Sequence, residues 1–292
     1  MNRIKGILYA AVSSSTFGLA PFFSITLLLA GFSAFEVLSY RWGVASIVLI
    51  VFGWLSGCNF RLAGKDWGVV FLLSLLRAVT SFSLIIAYQN IASGVASTIH
   101  FMYPLAVALA MMFFFREKKS LLVILAVLMS LLGAALLSLG ELEAKSGNTM
   151  VGLVAACVSV FSYAGYIVGV RTTRAVQINS TALTCYVMGL GTIFYLIGAY
   201  CTSGLQLVSD GYTWLIILGL ALPATAISNI TLVQAIKYAG PTLTSILGAM
   251  EPLTAVVIGV FVFKELFIVN SAVGIILILL AVSIVVFRRQ KS

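Results

Sequence analysis

Long apolar stretches separated by short polar breaks make up almost the whole chain. Each stretch is about 20 residues long, the length that an α-helix needs to cross a hydrocarbon core about 30 Å thick. We therefore predict ten membrane-spanning helices, joined by short connections that favour antiparallel neighbours. Their expected bounds are residues 5–29, 34–55, 66–88, 94–115, 120–138, 149–170, 179–201, 210–236, 241–263 and 268–287.

The composition agrees with this pattern. The 292 residues are 62% apolar and 9% charged, with a mean hydropathy of +1.16, whereas soluble domains are about 45–50% apolar and about 25% charged. Ten spans use nearly all the residues, which excludes a separate catalytic or nucleotide-binding domain. The four cysteines lie far apart and form no Cys-x-x-Cys pair, so they indicate neither a disulfide framework nor a metal site.

Basic residues are distributed unevenly between the connections. If both termini lie on one side of the membrane, that side carries thirteen Lys and Arg residues, and the other side carries two, Lys145 and Lys264. Cytoplasmic loops are enriched in Lys and Arg. The pattern therefore predicts that both termini are cytoplasmic. The net charge of +9 is then a signal of topology, and no nucleic-acid partner is expected.

The two halves of the chain repeat each other. Residues 104–117 align with residues 252–265 at an offset of 148, from a proline to a glutamate in both. Upstream, Phe17-Gly18 matches Tyr163-Ala164 at an offset of 146. Since five spans per half is an odd number, the second half must insert inverted relative to the first. Secondary transporters have this architecture, with the substrate site between the halves near the middle of the membrane.

The proline-to-glutamate units, Phe17-Gly18 and Arg41 resemble features of the drug/metabolite transporter superfamily, in its ten-span EamA-like branch. The resemblance covers residues 4–139 and 149–287. It implies an all-α integral membrane fold, with ten transmembrane helices as two inverted five-helix repeats around a central cavity. Spans 1, 3, 4, 6, 8 and 9 are expected to line that cavity. Bacterial relatives often export amino acids or other metabolites, which implies the bacterial inner membrane.

Ionisable side chains within spans need an explanation, because each costs about 2.5–3.5 kcal/mol at the centre of a span. Arg77 is the midpoint of span 66–88, and Glu251 is one residue from the midpoint of span 241–263. The two therefore lie in nearly the same plane. We expect them to face the cavity, where they either pair with each other or bind the carboxylate and ammonium of a zwitterionic substrate. The alternative is a buried pair that only fixes helix packing.

Two further ionisable residues, His100 and Arg41, lie about four residues outward from their span midpoints, or roughly 6 Å. His100 shares a helical face with Tyr103. Either His100 or Glu251 could carry a coupling proton, although a lone histidine is more often simply hydrogen-bonded. For Arg41 we expect a side chain that extends toward Glu36 or the lipid headgroups.

The repeat alignment sets Tyr103 opposite Glu251 and His100 opposite Gly248, and we expect this asymmetry to determine substrate choice. Pro104 and Pro252 should kink their helices, either for gating or as static bends. Other polar side chains within the spans can contact substrate or bond between helices. They are Ser14, Thr16, Tyr88, Gln89, Tyr163, Asn229 and Gln234.

These features predict a secondary-active carrier that exports a small polar metabolite, such as an amino acid, by alternating access. No cofactor or metal is expected, and the partners are the metabolite and membrane lipid, with a coupling proton left open. The chain lacks Walker A, His-Glu-x-x-His and Gly-x-Ser-x-Gly motifs, which argues against an ATP-driven pump or a hydrolase.

The alternatives are a multidrug or nucleotide-sugar type carrier of the same superfamily and, from another class, an intramembrane transferase. A cavity for phosphates should carry several basic residues at mid-depth. The sequence places only Arg77 there, with Arg41 outward, which disfavours the nucleotide-sugar type. A transferase would need clustered Asp, His or Cys at one depth, and no such cluster is evident.

Overall fold

The computed structural model describes residues 2–91, 93–117, 121–138, 147–202, 204–254 and 269–288, whose regular structure is helical. Residues 250–254 are helical as well, and Gly64–Asp66 and Arg174–Gln177 form 3₁₀ turns. The α-helices are α1 Asn2–Phe17, α2 Ala20–Leu29, α3 Ala34–Leu55, α4 Trp67–Asn90, α5 Ser93–His100, α6 Tyr103–Phe113, α7 Leu121–Ser138, α8 Thr149–Thr172, α9 Ser180–Cys201, α10 Gly211–Ala221, α11 Ser228–Ala239, α12 Pro241–Leu247 and α13 Val269–Arg288.

Within the described residues, seven helical stretches are long and apolar enough to cross a membrane, which makes this a multi-pass membrane protein. They are Arg3–Leu29, Ala34–Leu55, Gly64–Asn90, Val95–Phe113, Thr149–Thr172, Ser180–Cys201 and Gly211–Ala239. Two shorter apolar helices, Leu121–Gly133 and Ala272–Ile284, lie in the fifth and tenth predicted spans. Residues 255–263 of the predicted ninth span lie outside the described residues, so the number ten stays a prediction.

The helices pack in pairs that relate the two halves of the chain. α1 packs on α11, and α4 packs on α8. Because α8 is the counterpart of α1 and α11 is the counterpart of α4, exchanging the halves turns one pair into the other. α3 packs on α9, α6 on α12 and α7 on α13, each a helix with its own counterpart in the other half. Exchanging the two halves therefore carries each of these helix pairs onto another pair or onto itself. This is the pattern expected of two repeats related by a pseudo-twofold axis.

Proline residues mark places where a span is interrupted. The first span breaks at Gly18 and Leu19, before Pro21, and the Val95–Phe113 span breaks between α5 and α6, before Pro104. The turn at Gly248 and Ala249 likewise precedes Pro252. Proline has no N–H to donate, so it is accommodated best in the first turn of a new helical segment. The breaks agree with kinks before Pro104 and Pro252, while gating stays a prediction.

A tryptophan fills the interface between α3 and α9. Trp42 is 1% exposed and packs edge-on against Tyr195, with ring centroids 5.1 Å apart. A Cβ at Gly191 would lie 2.1 Å from Cζ3 of the Trp42 ring. Small residues let transmembrane helices approach closely. The crossing of α3 and α9 therefore depends on glycine at position 191.

We predict that Gly191→Ala destabilises the fold by about 1–3 kcal/mol, the usual effect of overpacking, because Trp42 must move. The matched control is Gly189→Ala on the same helix, where a Cβ meets no atom within 4 Å. The apparent melting temperature of the detergent-solubilised protein measures both. Equal melting temperatures for the two variants would contradict the proposed packing of Trp42 on Gly191.

Candidate functional site

A π-helical segment, Leu222–Ile227, interrupts the span Gly211–Ala239 between α10 and α11. Pro223 lies within it and removes one backbone donor. Side chains supply donors to nearby carbonyls. The Thr225 hydroxyl donates to the carbonyl of Leu220 at 2.7 Å, and Nδ2 of Asn229 donates to the carbonyl of Thr225 at 2.7 Å. The first bond uses the single donor of the Thr225 hydroxyl, so Oγ1 is left as an acceptor, and the second orients the Asn229 amide, whose Oδ1 can only accept.

Two arginines of the first repeat donate to those oxygens. Nε of Arg41, on α3, donates to Oγ1 of Thr225 at 2.7 Å. Nε of Arg77, on α4, donates to Oδ1 of Asn229 at 3.0 Å. Arg41 is 5% exposed and Arg77 is 1% exposed. Both guanidinium groups therefore lie in the interior of the helix bundle and are held there by neutral oxygens of the second repeat.

Aromatic rings surround the Arg77 guanidinium. Its Cζ lies 5.2 Å from the ring centre of Phe17, 4.8 Å from that of Tyr163 and 5.8 Å from that of Tyr166. The Cζ of Arg41 lies 5.5 Å from the same Phe17 ring. Cation–π attraction offsets part of the cost of burying these charges. Since Phe17 and Tyr163 are repeat counterparts, Arg77 lies between equivalent rings of the two halves.

His100 lies beside this cluster. Its ring centre is 5.4 Å from that of Tyr163 and 5.5 Å from that of Tyr103. Nδ1 is 2.8 Å from Oγ of Ser159, whose hydroxyl donates to the carbonyl of Ala156 at 2.6 Å. Ser159 therefore accepts from Nδ1, and Nε2 is buried with no partner among the described residues. This network suits a neutral imidazole with an unused acceptor at Nε2.

Gly248 and Glu251 complete the cluster from the second repeat. A Cβ at Gly248 would lie 1.8 Å from Oη of Tyr103, so the tyrosine lies directly on this glycine. Glu251 is 9% exposed and interacts electrostatically with Arg77 and Arg41. Across the described part of the chain, no carboxylate oxygen lies within 4.0 Å of either guanidinium. The carboxylate and the two cations are thus near one another without forming an ion pair.

A narrow cleft connects the two arginines. Its free volume of about 10 Å³ is close to the room that one water molecule requires. A metabolite can therefore enter only if the cleft widens. The lining residues are Phe17, Ala20, Pro21, Ser24, Arg41, Arg77, Thr80, Ser81, Leu84, Ile85 and Tyr88.

Most of the side chains expected to bind substrate lie at or next to this cluster. Tyr88 lines the cleft, and its hydroxyl is 3.3 Å from Oγ of Ser97. Thr16 is not brought into the polar network, because its hydroxyl donates to the carbonyl of Val12 in its own helix at 2.8 Å. The predicted residues that the structure brings together are Arg77, His100, Tyr103, Tyr163, Asn229 and Glu251.

The expectation that Arg41 extends toward Glu36 is wrong. Oε2 of Glu36 accepts from the N–H of Ser33 at 2.8 Å, and Oε1 accepts from the N–H of Gln206 at 2.7 Å. Glu36 thus caps α3 and holds the connection before α10, while Arg41 lines the cleft. Position along a span gives the depth of a residue but not the helix face that it occupies. Thr225 was not predicted as a site residue. The proline at position 223, within the eighth predicted span, indicates that the helix is interrupted nearby and was the available signal.

Residues 4–139 and 150–287 match the EamA-like transporter family. The chain belongs to this family. A solved crystal structure is similar to the transporter over 97% of this chain and 96% of its own, with a TM-score of 0.79 and 17% identity, which shows a shared fold. A search of curated proteins finds no significant match. The family match confirms the resemblance and gives the transporter a two-repeat architecture. Members of the family carry small solutes across membranes.

We predict that Gly248→Ala destabilises the transporter by about 1–3 kcal/mol, because the new methyl group displaces the Tyr103 hydroxyl. Removing that hydroxyl with Tyr103→Phe should recover part of the loss. A double-mutant cycle on apparent melting temperature checks this, and the coupling should be about 0.5 kcal/mol or more. Strictly additive effects would show that the two residues do not interact.

Proposed function

We propose that the transporter is a secondary-active carrier that moves a small polar metabolite outward across the cytoplasmic membrane by alternating access. The main support is the bond from Arg77 to Asn229, which joins the two repeats inside the span bundle. In carriers built from repeats, the substrate site lies at the interface between them. The cationic and aromatic groups at this interface are suited to hold a polar solute away from lipid.

Arg77 binds the substrate carboxylate in this proposal, and Glu251 binds its ammonium group. Nη1 of Arg77 is buried with no partner among the described residues. The Arg77 side chain bonds to Asn229 and not to Glu251, so each charged group keeps the capacity to bind a substrate of opposite charge. This arrangement supports substrate binding over a pair that only fixes helix packing.

Hydrogen bonds join the two repeats near both ends of the bundle. Oγ1 of Thr242 donates to Oε2 of Glu117 at 2.6 Å, near the ends of α6 and α11. At the ends of α2 and α9, the Gln206 N–H donates to Glu36. Alternating access requires the repeats to separate at one end while they stay closed at the other. The breaks before Pro104 and Pro252 are the places where we expect the helices to bend.

The substrate can be identified by metabolite profiling of cells with and without the transporter, followed by flux measurements in liposomes. We predict that Arg77→Gln and Glu251→Gln each reduce that flux at least tenfold, because each removes one charged contact worth at least about 1.4 kcal/mol. Arg61→Gln, on an exposed arginine, is the matched control. Wild-type flux in both site variants would refute the binding roles.

The same liposomes test proton coupling. If His100 or Glu251 carries a proton during transport, an imposed pH gradient must change the rate. A rate that does not depend on the pH gradient excludes both residues as proton carriers and leaves the carrier mechanism itself in place.

A further inference from the structure

The charges around the cleft do not balance. Arg41 and Arg77 both line it, and Glu251 is the one carboxylate among the described residues that interacts electrostatically with both. His100 adds no charge, because the hydrogen bonds around it suit a neutral imidazole. The described part of the site therefore carries a net positive charge, whether the Glu251 carboxyl group is ionised or protonated, because two guanidinium groups face one carboxyl group.

A net positive charge inside a span bundle is costly unless something neutralises it. The two Nε groups bond to neutral oxygens of Thr225 and Asn229, which do not compensate charge. The Phe17 ring attracts both guanidinium groups, but a neutral ring offsets only part of the cost of a buried charge and does not cancel the charge itself. A bound anion would remove the imbalance.

We infer that the substrate is an acidic amino acid, with two carboxylates, one ammonium group and a net charge of −1. This rests on the proposed function and narrows its substrate class. Arg77 binds one carboxylate, Arg41 binds the other, and Glu251 binds the ammonium group. The Cζ atoms of the arginines lie 5.5 and 5.2 Å from the same Phe17 ring centre, so they are at most about 10.7 Å apart. One small dicarboxylate can reach both.

The charge of the substrate determines the driving force. Moving one negative charge out of an inside-negative cell is favoured by about 2.3 kcal/mol per 100 mV, which corresponds to a concentration ratio of about 50-fold at equilibrium. The membrane potential can therefore supply the driving force for the secondary-active export that we propose, whether or not a coupling ion is also carried.

The first test compares glutamate with glutamine, which has nearly the same shape and no net charge. Purified transporter is reconstituted in liposomes loaded with either labelled amino acid, and a potassium gradient with valinomycin sets an inside-negative potential. We expect glutamate efflux to exceed glutamine efflux at least tenfold and to rise with the potential. Equal efflux of the two, or glutamate efflux that does not respond to the potential, overturns the inference.

Arg41→Gln tests the contact that the inference adds. This variant loses one of the two cations of the site, so the preference for glutamate over glutamine should fall at least tenfold. Arg41→Lys keeps the positive charge and should keep the preference for glutamate. This variant tests the inference even if Arg41→Gln does not fold. The control Arg61→Gln should retain the wild-type preference. An unchanged preference in Arg41→Gln overturns the inference, as does loss of the preference in a folded Arg41→Lys.

Two further outcomes separate this inference from the proposed function. If glutamine or another neutral metabolite is carried while glutamate is not, the transporter is a carrier and only the substrate class is wrong. If a phosphate monoester inhibits flux more strongly than glutamate does, the two arginines serve a phosphate and the acidic amino acid is excluded. Absence of flux for every profiled metabolite refutes the proposed function itself.

Discussion

The bond between Arg77 and Asn229 is the contact on which the site depends. The Arg77 side chain reaches from α4 of the first repeat to Asn229 on α11 of the second, with its guanidinium buried between the repeats. The amide of Asn229 donates to the carbonyl of Thr225, in the π segment that contains Pro223, and this bond orients Oδ1 to accept from Arg77. The interruption of one span thus provides the oxygens that hold two cations of the other repeat.

The scaffold is symmetric but its chemistry is not. Phe17 and Tyr163 occupy equivalent positions on either side of Arg77. The hydrogen bonds that hold the two arginines, however, all run in one direction between the repeats. Both cations come from the first repeat, and both acceptors come from the second. A symmetric pair of repeats can therefore rock about its axis while a polar, asymmetric substrate binds in one orientation.

Seven membrane-spanning stretches and the two-repeat architecture could be predicted, because a bilayer imposes a length that apolar residues record directly. The orientation of Arg41 could not. Its helix α3 is apolar on nearly every face, so periodicity does not distinguish lipid from the protein interior. The π segment was hidden for a related reason. Pro223 signals a break, but which side chains satisfy the freed backbone depends on the neighbouring repeat.

Neutral acceptors for the arginines suit the alternating access that we propose, in which the repeats move. Breaking a buried ion pair costs about 3–5 kcal/mol, whereas hydrogen bonds between transmembrane helices average about 0.6 kcal/mol and reach about 1.7 kcal/mol. Had Arg77 bonded to Glu251, rocking of the repeats would have had to separate the pair, and neither charge would be free for substrate. Bonding to Asn229 and Thr225 instead fixes the positions of the arginines, and in the proposed mechanism it leaves their charge to be neutralised by the substrate.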